Sequence, residues 1–199
     1  MTIICLTGGL ASGKSTAVRY LAGKGAHIID ADVLGHRAYD PGTRAFEQVI
    51  ATFGEDVRSE AGEIDRKVLG SKVFGQPGAL KQLTDIVWPE IRRLAESEIG
   101  AVSETAPDAI IVLEAAVLFE AGWDDIGDTI WVITVERETA IERAMARDGA
   151  TREAIEKRLN AQLSNEERTT RADTVITNDG DEASLLAQLD TAWAAVTGA

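Results

Sequence analysis

The stretch Gly8-Gly9-Leu10-Ala11-Ser12-Gly13-Lys14-Ser15 fits the pattern G-x-x-x-x-G-K-[ST] and constrains this chain more than any other feature. A short apolar run with β-branched residues, Ile3 to Leu6, precedes it. A run with Val18, Leu21 and Ala22 at helical spacing follows it. A strand before and a helix after are the context that gives the pattern its meaning. Glycines let the backbone turn tightly, so that several N–H groups converge on one point. The positive end of the following helix adds to that field. Such a loop cradles the phosphates of a nucleoside triphosphate along Gly8 to Thr16. Lys14 brings a mobile charge to the β- and γ-phosphates, and the Ser15 hydroxyl is placed to ligate Mg²⁺. The alternative is a glycine-rich turn with a chance Lys-Ser. With glycine at roughly 7% of residues, the four fixed positions coincide in fewer than about 1% of chains of this length.

Composition narrows the classes around that loop. A length of 199 residues suits one domain with a subdomain, and 45% hydrophobic residues suffice for a real core. The net charge of −13 argues against a broad nucleic-acid surface and against anionic membranes. No apolar run is long enough for a membrane span, and the N-terminus lacks the basic leader of a signal peptide. The single cysteine, Cys5, falls in the first strand, and no internal disulfide can form, as in a cytosolic protein. The two histidines, His27 and His36, match no metal pattern. A cytoplasmic protein without nucleic-acid or membrane partners is the expectation, as a monomer or weak homo-oligomer.

Along the chain, His27 to Asp32 reads as a second strand ending in two acids. At period two, Asp30 and Asp32 point to the same side. Ligands of parallel α/β sheets sit at the carboxyl ends of strands, so both acids can reach phosphate, metal or a substrate hydroxyl. Alternatively, Asp32 caps a helix that begins near Val33. Residues 40 to 104 carry helical patterns and no convincing strand. Phe46, Val49, Ile50 and Phe53 mark one helix, and residues 66 to 74 another. Gln76-Pro77-Gly78 is a break. Leu80, Leu83, Val87, Ile91, Leu94 and Val102 mark a last helix, interrupted at Trp88-Pro89. Ala109 to Leu113 is a buried third strand ending at Glu114, a candidate second Mg²⁺ element; as an alternative, Glu114 caps the strand or pairs with a base. Thr129 to Val135 is a fourth strand and Thr174 to Thr177 a fifth. The last helix has Leu185, Leu186, Leu189, Trp193 and Val196 on its apolar face. Between the last two strands lies a charged helical stretch, Glu136 to Arg171. There Arg143 and Arg147 share a helix face and could close over a triphosphate. Interleaved glutamates make most of the other charges a solvated, salt-bridged surface.

Taken together, these residues resemble the dephospho-coenzyme A kinase family over nearly the whole chain. The resemblance is carried by LTGGLASGKST at 6–16, IIDAD at 28–32, Pro41-Gly42 and G-x-I-D-R-x-x-L at 62–69. It continues through VLFE at 117–120, R-x-x-x-R at 143–147, RLNAQ at 158–162 and AD-x-V-I-x-N at 172–178. It implies a P-loop kinase fold, with a five-stranded parallel sheet flanked by helices. The implied core is about 1–40, 105–136 and 172–199, with a helical acceptor-binding subdomain about 41–104 and a lid about 137–171. It implies ATP as co-substrate with Mg²⁺, and dephospho-CoA as acceptor. Asp32 takes the role of catalytic base. Lys14 and Arg143 act on the phosphates, with Arg147 beside them. Asn178 lies near the adenine, and Arg66, Trp88 and Leu118 on the acceptor side. The chain departs from the family at Trp88-Pro89 (usually His-Pro), at Glu114 to Leu118, and at Ala140 to Ala144. These departures lie on the acceptor side and the lid edge. Two other readings stay open: a P-loop kinase of a different hydroxylated metabolite, and a nucleotide-binding regulatory protein with weak catalysis.

Overall fold

The structure, a computed structural model, describes residues 1–74, 76 and 78–198. Pro77, the centre of the expected break at Gln76-Pro77-Gly78, lies outside the described residues. The apolar run after Met1 forms β1 (Thr2–Gly8), and the glycine-rich loop leads into α1 (Lys14–Gly23). Then follow β2 (His27–Asp30), α2 (Ala31–Arg37), α3 (Arg44–Phe53), a 3-10 turn at Glu55–Val57, α4 (Arg66–Val73) and α5 (Ala79–Thr105). The second half holds β3 (Ile110–Glu114), β4 (Thr129–Thr134), α6 (Arg137–Asp148), α7 (Arg152–Asn160), α8 (Asn165–Thr169), β5 (Thr174–Thr177) and α9 (Glu182–Thr197).

The five strands make one parallel sheet in the order β2-β3-β1-β4-β5. Parallel neighbours need crossover connections, and helices cover the sheet as a result. The strand that enters the phosphate loop is therefore the middle one. Its register sets Leu6 opposite Glu114 of β3 and Gly8 opposite Ile133 of β4. The carboxyl ends of the three central strands thus stand side by side, where ligands of such sheets bind.

Chain contacts divide the protein into two compact units, residues 1–29 with 102–199, and residues 30–101. In the first, β-branched and aromatic strand residues meet the apolar faces of α1 and α9. Ile4, Leu6, Val112, Trp131 and Ile133 pack with Leu21, Leu185 and Leu189, all nearly or fully buried. Leu186, Trp193 and Val196, expected on the same face of α9, lie at its partly buried margin. Cys5 is buried in β1, and burial pushes its thiol up from 9.0 to about 12.

The second unit is helical. Thr43 caps α3 by accepting from the Phe46 N–H, and α3 buries Phe46, Val49 and Ile50. Asp65 caps α4 through the N–H groups of Lys67 and Val68. The proline at 89 does not end a helix: α5 runs through it for 27 residues. Pro89 has no N–H to give, which costs one backbone bond. Burial of Val87, Glu90, Ile91, Ala95 and Ile99 on both sides of it carries the helix through. The buried Glu90 carboxylate accepts from Arg93 Nη2 at 2.7 Å and Nε at 3.1 Å. Leu80, read from spacing as apolar-face, is 52% exposed.

The pair of acids after β2 differs from the extended reading. The strand ends at Asp30, whose carboxylate accepts from the N–H groups of Asp32 (2.8 Å) and Val33 (3.2 Å). Asp30, not Asp32, is the cap of α2, and Asp32 sits exposed in the first helical turn. The period-two pairing fails because capping turns the chain one residue after β2. Asp30→Ala should lower stability by about 1 kcal/mol in urea denaturation, and Asp32→Ala should stay within about 0.5 kcal/mol of the parent.

Candidate active site

The first N–H groups of any helix lack intrahelical acceptors. At α1 no side chain caps them. Gly13 stands at the cap position without a side chain, and the first turn contains no acid. The positive end of α1 is thus left for an external anion. The loop around it is held by backbone and side-chain bonds. Ser12 N–H donates to Gly9 O at 3.3 Å, and Lys14 Nζ donates to Gly8 O at 2.9 Å and Gly9 O at 3.2 Å. Two glycines are required sterically. A Cβ on Gly8 would overlap the Ile133 carbonyl of β4, and one on Gly13 would overlap the Asn178 amide. Gly13 also has φ +101, a region that L side chains rarely enter. Ala11 adopts φ 56 and so carries backbone strain inside the loop.

Asn178, 7% exposed just beyond β5, braces this loop. Its Nδ2 donates to Ser12 O at 2.8 Å, and its own carbonyl accepts from Arg143 Nη1 at 2.9 Å. Arg143 Nη2 reaches Gly180 O at 3.4 Å. One turn along α6, Arg147 faces the same space. Residues 11–16, Arg143 and Arg147 line a cavity of about 240 Å³. A second cavity of about 220 Å³ adjoins it, between Ala11, Gly13, Thr16, Arg143, Asn178, Gly180, Glu182 and Leu185. The two share Ala11, Gly13, Thr16 and Arg143. One ends on the loop; the other opens toward the turn after β5.

Arg147 is held by Asp148, with Nε 2.7 Å from Oδ1 and Nη2 3.2 Å from Oδ2. Arg158 Nη1 also donates to Asp148 Oδ2 at 2.6 Å. The two guanidinium groups hold this carboxyl well below the usual carboxylate range. Most other arginines of the charged stretch make surface pairs, as their interleaving with glutamates predicts. Arg152 bonds Glu138 and Glu156, and Arg171 bonds Asp124.

The remaining expected positions fall as follows. Ser15 is exposed in the first turn of α1, and Thr16 lines both cavities. Glu114 ends β3 and is half-buried. A hydroxyl and a carboxylate beside a polyphosphate suit a hard divalent cation that keeps several waters. Among the described residues no cluster of three or more His, Cys, Asp or Glu could hold a metal by itself. Leu118 is fully buried, so it packs the loop after β3 and offers no surface to a ligand. In the helical unit, Arg66 Nη2 donates to His36 O at 3.0 Å and its guanidinium lies 5.6 Å from the Tyr39 ring. Trp88 is half-buried in α5.

The sequence reading missed the second support of the loop. Gln162 Oε1 accepts from Leu10 N–H at 3.0 Å, and Arg168 lies behind Gly9 at 2% exposure. Both stand in a stretch whose alternating charges read as solvated surface, which hid them.

A parallel sheet with a glycine-rich G-x-x-x-x-G-K-S loop on its middle strand, faced by arginines of α6, has the architecture of P-loop kinases. The dephospho-CoA kinase family model matches residues 2–184. A Geobacter sulfurreducens dephospho-CoA kinase is 44% identical over 194 residues, covering 98% of each chain. A Thermus thermophilus crystal structure is 33% identical with a TM-score of 0.78, covering 99% of this chain and 96% of that one. The dephospho-CoA kinase of Campylobacter jejuni is 26% identical with a TM-score of 0.74, covering 98% and 96%. The chain belongs to the dephospho-CoA kinase family. Gly13→Ala is expected to weaken ADP binding about tenfold or more, because strain of ~1–3 kcal/mol falls on the loop itself. Calorimetry on a variant with parent-like circular dichroism checks this.

Proposed function

We propose that the chain transfers the γ-phosphate of ATP to the ribose 3′-hydroxyl of dephospho-CoA, giving coenzyme A and ADP. The observation that carries this is the uncapped N-terminus of α1 facing the lid arginines, in a chain of this family. The loop N–H groups and Lys14 bind the β- and γ-phosphates, and Arg143 and Arg147 approach them from α6. The cavity between Asn178, Gly180 and Leu185 takes the adenine side. Ser15 and Glu114 are the residues that would hold Mg²⁺, which supplies charge neutralisation on the phosphates when bound.

A ribose hydroxyl becomes a competent nucleophile once its proton has an acceptor, and Asp32 serves as that base. Asp30 takes the capping work, which leaves the Asp32 carboxylate without that structural duty. As the new P–O bond forms, the bond between the γ-phosphorus and the β–γ bridging oxygen breaks. The hydroxyl proton passes to Asp32, and ADP leaves. Arg66 and Trp88 lie on the acceptor side. Positioning and charge stabilisation carry most of the rate.

With ATP and Mg²⁺ present, dephospho-CoA should stimulate ADP release far above a panel of sugars, nucleosides and hydroxy acids. A different acceptor winning that comparison overturns the assignment. Asp32→Asn should lower turnover by about 100-fold or more with ATP affinity unchanged. An equal loss of ATP binding in calorimetry would make Asp32 a ligand of the nucleotide or metal.

A further inference from the structure

Arg168, on α8, is a buried cation whose hydrogen bonding is incomplete. Its side chain is 2% exposed, and Nη1 donates to the Leu163 carbonyl. Among the described residues, Nε and Nη2 have no hydrogen-bond partner. The nearest counter-charge, Glu120, stands 3.7 Å from Nη2, beyond hydrogen-bond length. Most donors of this guanidinium are therefore unused. Taking such an ion out of water costs several kcal/mol unless it is paired and fully bonded.

Its position explains the expense. A Cβ placed on Gly9 would lie 3.6 Å from Arg168 Nη1 and 3.9 Å from Gln162 Oε1. The guanidinium thus sits directly behind the first turn of the phosphate loop, separated from it only by the missing side chain of Gly9. A cavity of about 210 Å³, with Gly9, Leu10, Gln162, Asn165 and Arg168 in its wall, adjoins this spot. Lys14 Nζ rests on the carbonyls of Gly8 and Gly9, at the same end of the loop. The α1 N-terminus, with Gly13 and Ser15, receives the inner phosphates. With the inner phosphates on the α1 N-terminus as proposed above, the Gly9 end would meet the terminal phosphate, the group that is transferred.

We propose that Arg168 is a catalytic residue that contacts the transferring phosphoryl group from the Gly9 side of the loop, opposite the lid arginines. The buried guanidinium supplies donors fixed in advance where negative charge is held in the transition state. In a water-excluded site such donors act strongly. Leu163 and Glu120 hold it in place in the free protein. The incoming phosphoryl oxygens complete its bonding in planar fork geometry, which lysine does not reproduce. This assignment rests on the loop holding a nucleoside triphosphate. It does not depend on which acceptor is used.

The test compares ADP with the non-hydrolysable analogue AMP-PNP, by calorimetry with Mg²⁺, in the parent chain and in Arg168→Met and Arg168→Lys. A contact on the terminal phosphate predicts that Arg168→Met weakens AMP-PNP roughly tenfold and leaves ADP within about twofold of the parent. Turnover should fall by about 100-fold or more. Arg168→Lys should lie between parent and Met in the ratio of the two affinities. If Arg168→Met fails to fold by circular dichroism, the Lys variant decides by the same ratio. Equal weakening of both nucleotides, as a purely structural role would give, overturns the proposal. So does an unchanged ratio with a raised KM for the acceptor. A failure of dephospho-CoA to stimulate the parent enzyme would strike the acceptor assignment and leave this comparison standing.

Discussion

Everything at this site depends on one helix end that no side chain caps. The N-terminus of α1 has no side-chain cap and no acid in its first turn, and it emerges from the middle strand of the sheet. A helix end left in that condition is stabilised by an anion. The sheet fixes its direction, because β1 is paired on both sides and the loop has only five residues, Gly9 to Gly13, in which to turn. The fit is close enough that Gly8 and Gly13 leave no room for a methyl group. The proposed phosphate site therefore lies where the chain must reverse.

The loop is not rigid by its own bonds alone. Asn178 ties its far end to the turn after β5, and Gln162 ties Leu10 to the end of α7. Both braces come from sequence more than a hundred residues away. The same Asn178 that donates to Ser12 accepts Arg143 on its carbonyl, so the floor and the lid of the cavity meet at one residue. A change there would disturb phosphate geometry and arginine placement together.

Much of the sheet was legible in the sequence. Apolar β-branched runs such as Ile110 to Leu113 and Thr129 to Val135 have little alternative to buried strands. The glycine-rich stretch declared its turn through spacing. What escaped was local competition and long-range support. The chain leaves β2 two residues early because Asp30 finds backbone donors nearby, a choice that alternation cannot show. Pro89 read as a break because its effect is local, yet burial along both halves of α5 outweighs one lost bond. Arg168 lay hidden because a buried and a solvated arginine look alike in a string of alternating charges. Only the packing of α8 separates them.

The bond between Arg147 and Asp148 bears on how the site behaves when empty. Asp148 offers two oxygens in the plane of the guanidinium, the shape a phosphate offers, and it is shared with Arg158. In a protein with a net charge of −13, Arg147 therefore does not wait as bare positive charge. In the proposed binding mode an arriving polyphosphate would exchange one anion for another at Arg147. Fewer small counter-ions would then be released than the number of cations around the cavity implies, and nucleotide affinity would be correspondingly less sensitive to ionic strength.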